Sequence, residues 1–308
     1  AHNPMGTDPS DSENSTIFNA TTRRENVVDP RTGLFEVCVQ MPQITGNNGN
    51  GPVFYSGLCY TPTSNNEAGL GDGWDFSFTH YSAKFKTLTF HSGEKLQINE
   101  NIDVIQPAVH AKWAAGKLTV MRKGGRKEVL VKLANTETYV PESLTTDGEN
   151  NLFFSWTTTP HLINGVTYYQ IKLTGIRDAT RQLLSIDYTL AFPGTQPPES
   201  AVHITFWPDN PNETLMYTLR LKDYALQSVT LASDIKSSFG YQDHPVCGWL
   251  LTEITNSSGL KETVVYVDNG LSFPDNPKLS VLPCVNTYTL TPNGGGLPFI
   301  KNYTCSLE

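Results

Sequence analysis

The sequence predicts an all-β fold of antiparallel sheets and hairpins packed as a β-sandwich, and three observations carry the prediction. Between Val28 and Tyr81 the segments VDPRTGLFEVCVQMPQ, GPVFYSGLCYTP and GLGDGWDFSFTHY alternate apolar and polar side chains, and Gly, Pro and Asn clusters join them. Charged residues make up only 17% of the chain while 24 Gly and 20 Pro supply turns, a balance that suits many strands and not a helical bundle. No segment keeps helical periodicity for longer than a turn or two.

In FEVCVQM, Phe35, Val37, Val39 and Met41 share one face and Glu36, Cys38 and Gln40 the other, the period-2 pattern of a half-buried strand. Trp74, Phe76, Phe78 and His80 repeat it, and an aromatic stripe of that size is expected in the core. Gly69, Gly71 and Gly73 ahead of Trp74 predict a tight turn where backbones approach closely. Asp72 and Asp75 lack further oxygen ligands at fixed offsets, so they are assigned to turn chemistry, and neither a metal nor a cofactor is expected.

TLTFHSGEKLQI predicts a hairpin turning at Ser92-Gly93-Glu94, and KLTVMRKGGRKEVLVKL one turning at Gly124-Gly125. A two-residue turn there sets Val120 opposite Val129, Leu118 opposite Val131, Lys123 opposite Arg126 and Arg122 opposite Lys127. The four basic residues Arg122, Lys123, Arg126 and Lys127 are therefore a candidate anion-binding tip, weighed against a merely solvated one.

Farther along, VTYYQIKL, LLSIDYTLAF, AVHITFW and TLMYTLRL keep the alternation. In the last third, EITNSSGLKETVVYVDNG shares a cadence with GIRDATRQLLSIDYT: each places an acidic or amide turn before a strand that ends in an aromatic and an Asp. A unit of that size cannot bury its own apolar face, so it predicts stacking on neighbours. The organisation that follows is a polar, aperiodic arm at 1–26, an N-terminal β domain at 27–147, and a second β section at 148–306. The final Leu307-Glu308 pair has the look of a cloning scar.

A net charge of -8 disfavours broad nucleic-acid binding, which needs a Lys/Arg surplus on some face. No apolar stretch is long enough for a transmembrane segment, and the N-terminus lacks a basic region followed by an apolar run, so any export proceeds without a visible signal peptide. The five cysteines form no CxxC pair and are odd in number, which favours reduced, partly buried thiols.

The order VDPRTGLF, GP with a strand, GLGDGW, TFHSGEK, LTEITNSSGLKETVVYVDNGLSFP and a closing TYTLTPNGGGLPFIKNYTCS resembles the N-terminal portion of bacterial Rhs/YD-repeat proteins, from about Phe18 onward. In those proteins the repeat tyrosine packs in a sheet layer and the aspartate closes the next turn. The resemblance implies the opening section of a β-cocoon that encloses a C-terminal toxin. Its partners would be the remaining repeats and the toxin of the same polypeptide, and its setting that of a secreted component. A strand at Phe299–Cys305 would then offer an edge to the repeats that follow.

Enzymatic chemistry finds no foothold: there is no GxSxG, HExxH or P-loop, the histidines are scattered singly, and no catalytic residue is assigned. Carboxylate pairs such as Glu94 with Asp103 or Asp178 with Asp187 have no known separation. The alternative function is carbohydrate binding. Trp207, with Asp209 and Asn210 in the polar loop that follows, and Trp113 and Tyr169 elsewhere, could stack on glycans and bond their hydroxyls.

Overall fold

In the computed structural model of this chain, the residues described are 27–29, 32–62, 67–192, 199–232, 235–245, 247–271 and 282–305. The expected arm at 1–26 and the Leu307-Glu308 pair lie outside them. Among the described residues, apart from one 3-10 turn at Asn47–Gly49, the regular elements are strands, as the alternation predicts.

Five are short: β1 (Val37–Val39), β2 (Gln43–Thr45), β3 (Val53–Tyr55), β4 (Leu58–Tyr60) and β5 (Trp74–Phe76). They form a three-stranded sheet in the order β1-β4-β5 and a two-stranded sheet of β2 and β3. The remaining nineteen strands belong to one connected antiparallel sheet. Its first part comprises β6 (His80–Ser82), β7 (Thr87–Thr89), β8 (Lys95–Gln97), β9 (Val104–Ile105), β10 (Val109–Ala114), β11 (Lys117–Arg122), β12 (Lys127–Lys132) and β13 (Thr138–Thr145). The long meander follows: β14 (Asn151–Ile163), β15 (Val166–Arg177), β16 (Gln182–Phe192), β17 (Glu199–Phe206), β18 (Leu215–Lys222) and β19 (Ala225–Ala232). It continues through β20 (Ile235–His244), β21 (Gly248–Thr255), β22 (Lys261–Leu271), β23 (Leu282–Thr291) and β24 (Phe299–Asn302).

β13 is the junction. Its first residues pair with β6 (Tyr139↔Tyr81) and its last with β14 (Leu144↔Leu152), so the sheet runs through the break near 148 without interruption. The cores divide elsewhere. A smaller cluster of Tyr81, Leu88, Phe90, Ala111, Leu118, Val120 and Leu130 fills the curl made by β6 to β13. The larger cluster joins residues 27–76 to the meander, from Leu144 to Tyr288. The N-terminal segment thus lies across the inner face of the long strands as a second layer. Phe54 meets Phe154 edge-on at 5.5 Å, Trp74 meets Phe239 at 4.8 Å, and Val285 N donates to Gly33 O at 2.8 Å. The glycines before Trp74 serve this close approach: a Cβ on Gly73 would fall 2.3 Å from the Tyr60 ring, and one on Gly71 2.9 Å from the Leu226 nitrogen.

Two expectations are corrected. Arg122 N donates to Arg126 O at 2.8 Å, so the loop is the three residues Lys123-Gly124-Gly125, and the register is Leu118↔Leu130 and Val120↔Glu128. A three-residue loop closing on a left-handed glycine, Gly125 at φ 94, shifts the pairing by one and exchanges the faces of β12. Glu128 is thereby buried, and Arg126 at 3.2 Å and the Thr79 hydroxyl at 2.8 Å satisfy it. The other hairpin likewise turns one residue early, at His91-Ser92-Gly93, closed by Phe90 N to Glu94 O.

The second correction concerns the cysteines, of which only Cys247 is a free thiol. Cys38 and Cys59 fall directly opposite each other on β1 and β4 and form a disulfide, and Cys305 returns from β24 to bond Cys284 on β23. Register across strands decided the pairing, and spacing along the chain does not reveal it. Cys284→Ser with Cys305→Ser releases a 21-residue span and is expected to cost about 3 kcal/mol. The checks are thermal unfolding and proteolysis, with first cuts near Phe299–Cys305. Unchanged Tm and unchanged cleavage would show that the bond adds nothing.

Candidate functional site

The meander places successive connections at opposite ends of the sheet, and the two ends differ in chemistry. At the lower end lie the turns at 146–150, 178–181, 207–214 and 256–260, each organised by an Asp or Asn side chain. Asp178 Oδ1 accepts from the Thr180 and Arg181 amides, both at 2.8 Å, and Oδ2 from the Asn47 amide of the inner layer at 2.8 Å. Asn256 Oδ1 accepts from the Ser258 and Leu260 amides at 3.0 Å in the same manner.

Four aromatic side chains repeat a single interaction between neighbouring strands of the large sheet. Trp156 Nε1 donates to Pro141 O at 2.7 Å, Tyr188 Oη to Leu173 O at 2.7 Å, Tyr241 Oη to Leu226 O at 2.6 Å, and Tyr266 Oη to Leu251 O at 2.5 Å. Every acceptor lies 15 residues before its donor, on the preceding strand. Each aromatic sits at or beside a β-bulge, which turns its side chain onto the neighbouring backbone. Leu173 and Leu251, which accept from one rung, stand in register with Trp156 and Tyr241, the donors of the rung before. The Asx turn precedes the tyrosine by the same interval from Asp178 to Tyr188 and from Asn256 to Tyr266. The shared cadence of the two sequence segments is this unit. Burial pushes the phenols of Tyr188, Tyr241 and Tyr266 well above their ordinary range, so they stay protonated donors.

The inner layer is locked to the rungs. Trp74 Nε1 donates to Tyr241 Oη at 2.9 Å, and Tyr60 Oη takes the Leu251 amide and donates to Trp249 O, both at 3.0 Å. In the same layer the half-buried Asp75, opposite Cys59, accepts the Phe76 amide at 2.7 Å. Burial, and secondarily the Glu67 carboxylate, raise its pKa to about 8.

The residues proposed for glycan binding are dispersed. Trp207 packs on the large core and the loop that follows it is largely exposed: Asp209 accepts the Gln182 amide at 3.1 Å, and Asn210 caps Asn212 at 3.2 Å. Trp113 packs against the smaller core, edge-on to Tyr81 and Tyr139, with Nε1 donating to Ile102 O. Tyr169 is on β15 opposite Pro160. The basic tip is also divided. Arg126 is buried against Glu128, Arg122 lies over the Phe90 ring at 4.0 Å and reaches Glu94 at 3.2 Å, while Lys123 and Lys127 are exposed.

The imagined carboxylate pairs serve other partners: Glu94 holds Arg122, Asp103 accepts the Trp113 amide, and Asp178 is fixed in its turn. A cysteine, histidine and aspartate do converge at the upper end. His244 Nε2 is 3.2 Å from Asp268 Oδ1, but its Nδ1 accepts the Cys247 backbone amide at 3.1 Å. Burial pushes the Cys247 thiol up to about 11, the condition of an inert thiol, and the imidazole holds this turn closed. Among the described residues, no group of three His, Cys, Asp or Glu is placed to hold a metal ion.

Sequence reasoning passed over an exposed apolar feature of the upper end, the β14–β15 tip at Asn164-Gly165. Asn-Gly between alternating segments is the strongest short hairpin signal, and it was present in HLINGVTYY. Compared with known proteins, the chain matches no family model and no curated protein.

Proposed function

We propose that this chain is a non-catalytic wall segment, the opening section of an Rhs/YD-repeat type of shell that encloses or delivers a toxin carried on the same polypeptide. The observation that supports the reading is the recurring unit of Asx turn, strand and aromatic rung, with its acceptor 15 residues back. Such a unit has no core of its own and gains one only by stacking, which is how an extended wall is built. Two disulfides fit export to an oxidising compartment. β24 is exposed along its length and pairs with β23, and on this reading the strands that follow in the chain would extend the wall past it.

The rungs make a direct prediction. Tyr188→Phe or Tyr266→Phe leaves a buried carbonyl without its donor and is expected to cost about 1–2 kcal/mol in urea unfolding. Tyr168→Phe, on an exposed phenol, is expected to cost nothing measurable. The functional reading is tested in the natural gene. The frame after the Ser306 codon should encode more such units and, in the purified product, a protease-protected cargo. A stop codon there, or an unrelated domain, removes the reading.

A further inference from the structure

Beyond Ile171, whose amide donates to Glu67 O at 2.7 Å, the β14–β15 hairpin runs on toward its tip as a two-stranded ribbon. β14 pairs with β13 only through Asn151–Phe153, and β15 with β16 only through Gly175–Arg177, whereas β14 and β15 pair with each other out to Ile163↔Val166. Residues 150–171 contain no Asp, Glu, Lys or Arg. At the chain's 17% average a run of that length would carry about four.

The ribbon is apolar on both sides at its tip. Paired residues point to one face and successive pairs alternate, so Leu162, opposite Thr167, faces one way, and Val166 and Tyr168 face the other. Leu162 is 69% exposed, Val166 52% and Tyr168 44%. One layer behind, His161 lies opposite Tyr168 and touches the ring of Tyr224 edge-on at 5.2 Å; Tyr224 is itself 52% exposed. That tyrosine is held in a left-handed conformation, φ 64, in the β18–β19 turn, where Asp72 N bonds its carbonyl and Trp249 Nε1 bonds that of Asp223.

We propose that this tip docks into the interfacial region of a lipid bilayer with neutral, zwitterionic headgroups. A protein partner would cover one face of a ribbon, whereas apolar side chains on both faces suit an apolar solvent that surrounds them. Aliphatic residues at the extremity with tyrosine and histidine one layer behind match the depth order of a bilayer interface, where amphipathic rings sit at headgroup level. The uncharged ribbon and a net charge of -8 favour neutral over anionic lipid. Insertion is confined to the last pairs, because the outer backbone edges of an open ribbon have no partner in hydrocarbon.

The test is flotation of the full chain with phosphatidylcholine vesicles. The wild type is expected to float with them. Leu162→Asp combined with Val166→Asp, at surface positions where thermal unfolding should be unchanged, is expected to reduce partitioning at least tenfold. Leu297→Asp, at the opposite end of the sheet on a residue 94% exposed, is expected to leave it unchanged. In Leu162→Trp the added tryptophan emission should be quenched by brominated lipid. Absence of flotation, equal losses in the tip and Leu297 variants, or a tip that captures a glycan or protein while ignoring vesicles would each overturn the proposal.

Discussion

Asp178→Ala is expected to lower the stability of the chain by about 3–4 kcal/mol, because charge-assisted hydrogen bonds to one buried carboxylate are lost together. The side chain is buried and holds three backbone amides, two in its own turn and one in the inner layer, so its loss loosens the turn and the seam at once. Asp178→Asn keeps one acceptor but turns an amide toward a donor, and about half the cost is expected. The acid dependence follows from the direction of the pKa. Burial alone would raise it, yet the hydrogen bonds outweigh burial and the folded value lies below the ordinary one. The contribution is therefore complete above the unfolded pKa, near 4, and is lost as pH falls through the lower folded value. Urea unfolding at neutral and at acid pH measures both effects. An alanine variant within about 0.5 kcal/mol of the wild type at pH 7, the scatter of ordinary surface substitutions, would sink the account.

Asp75→Asn should act in the opposite sense. The folded carboxyl titrates at about 8, so between pH 4 and 8 the native state keeps a proton that the unfolded chain has released, and stability falls as pH rises through that window. The amide retains the acceptor for the Phe76 nitrogen and removes the charge. The variant should match the wild type near pH 4 and exceed it by about 2–3 kcal/mol above pH 8, a value discounted from the full shift because the side chain is only half-buried. Parallel pH profiles for the two proteins would show that Asp75 is solvated and ordinary.

The strands were legible because alternation is a local signal: Phe35, Val37 and Met41 are buried as their spacing predicts, and so are Trp74 and Phe76. What failed was set by geometry between segments. One residue of loop length at Lys123-Gly124-Gly125 decided whether Glu128 or Val129 faced inward, and the sequence is compatible with both. The disulfides depended on β1 meeting β4 and on Cys305 returning to β23. The rungs were half visible, since the turn and the tyrosine recur in sequence while the accepting carbonyl, a backbone atom, leaves no trace in it. The aromatic residues proposed for glycans lie apart, since a tryptophan's place in the sequence carries no label for which core it packs on: Trp113 lies against one cluster and Trp207 against the other.

The inner layer has a consequence for biogenesis. Residues 27–76 leave the ribosome before the long strands, yet the surface that covers them extends to Val285, whose amide closes on Gly33. Translation at about 5–20 residues per second leaves the apolar side chains of this layer waiting roughly ten seconds or more for their lid. The nascent chain must be shielded over that interval, and ribosome-stalled intermediates ending short of β23 should be held by chaperones while the finished protein is not.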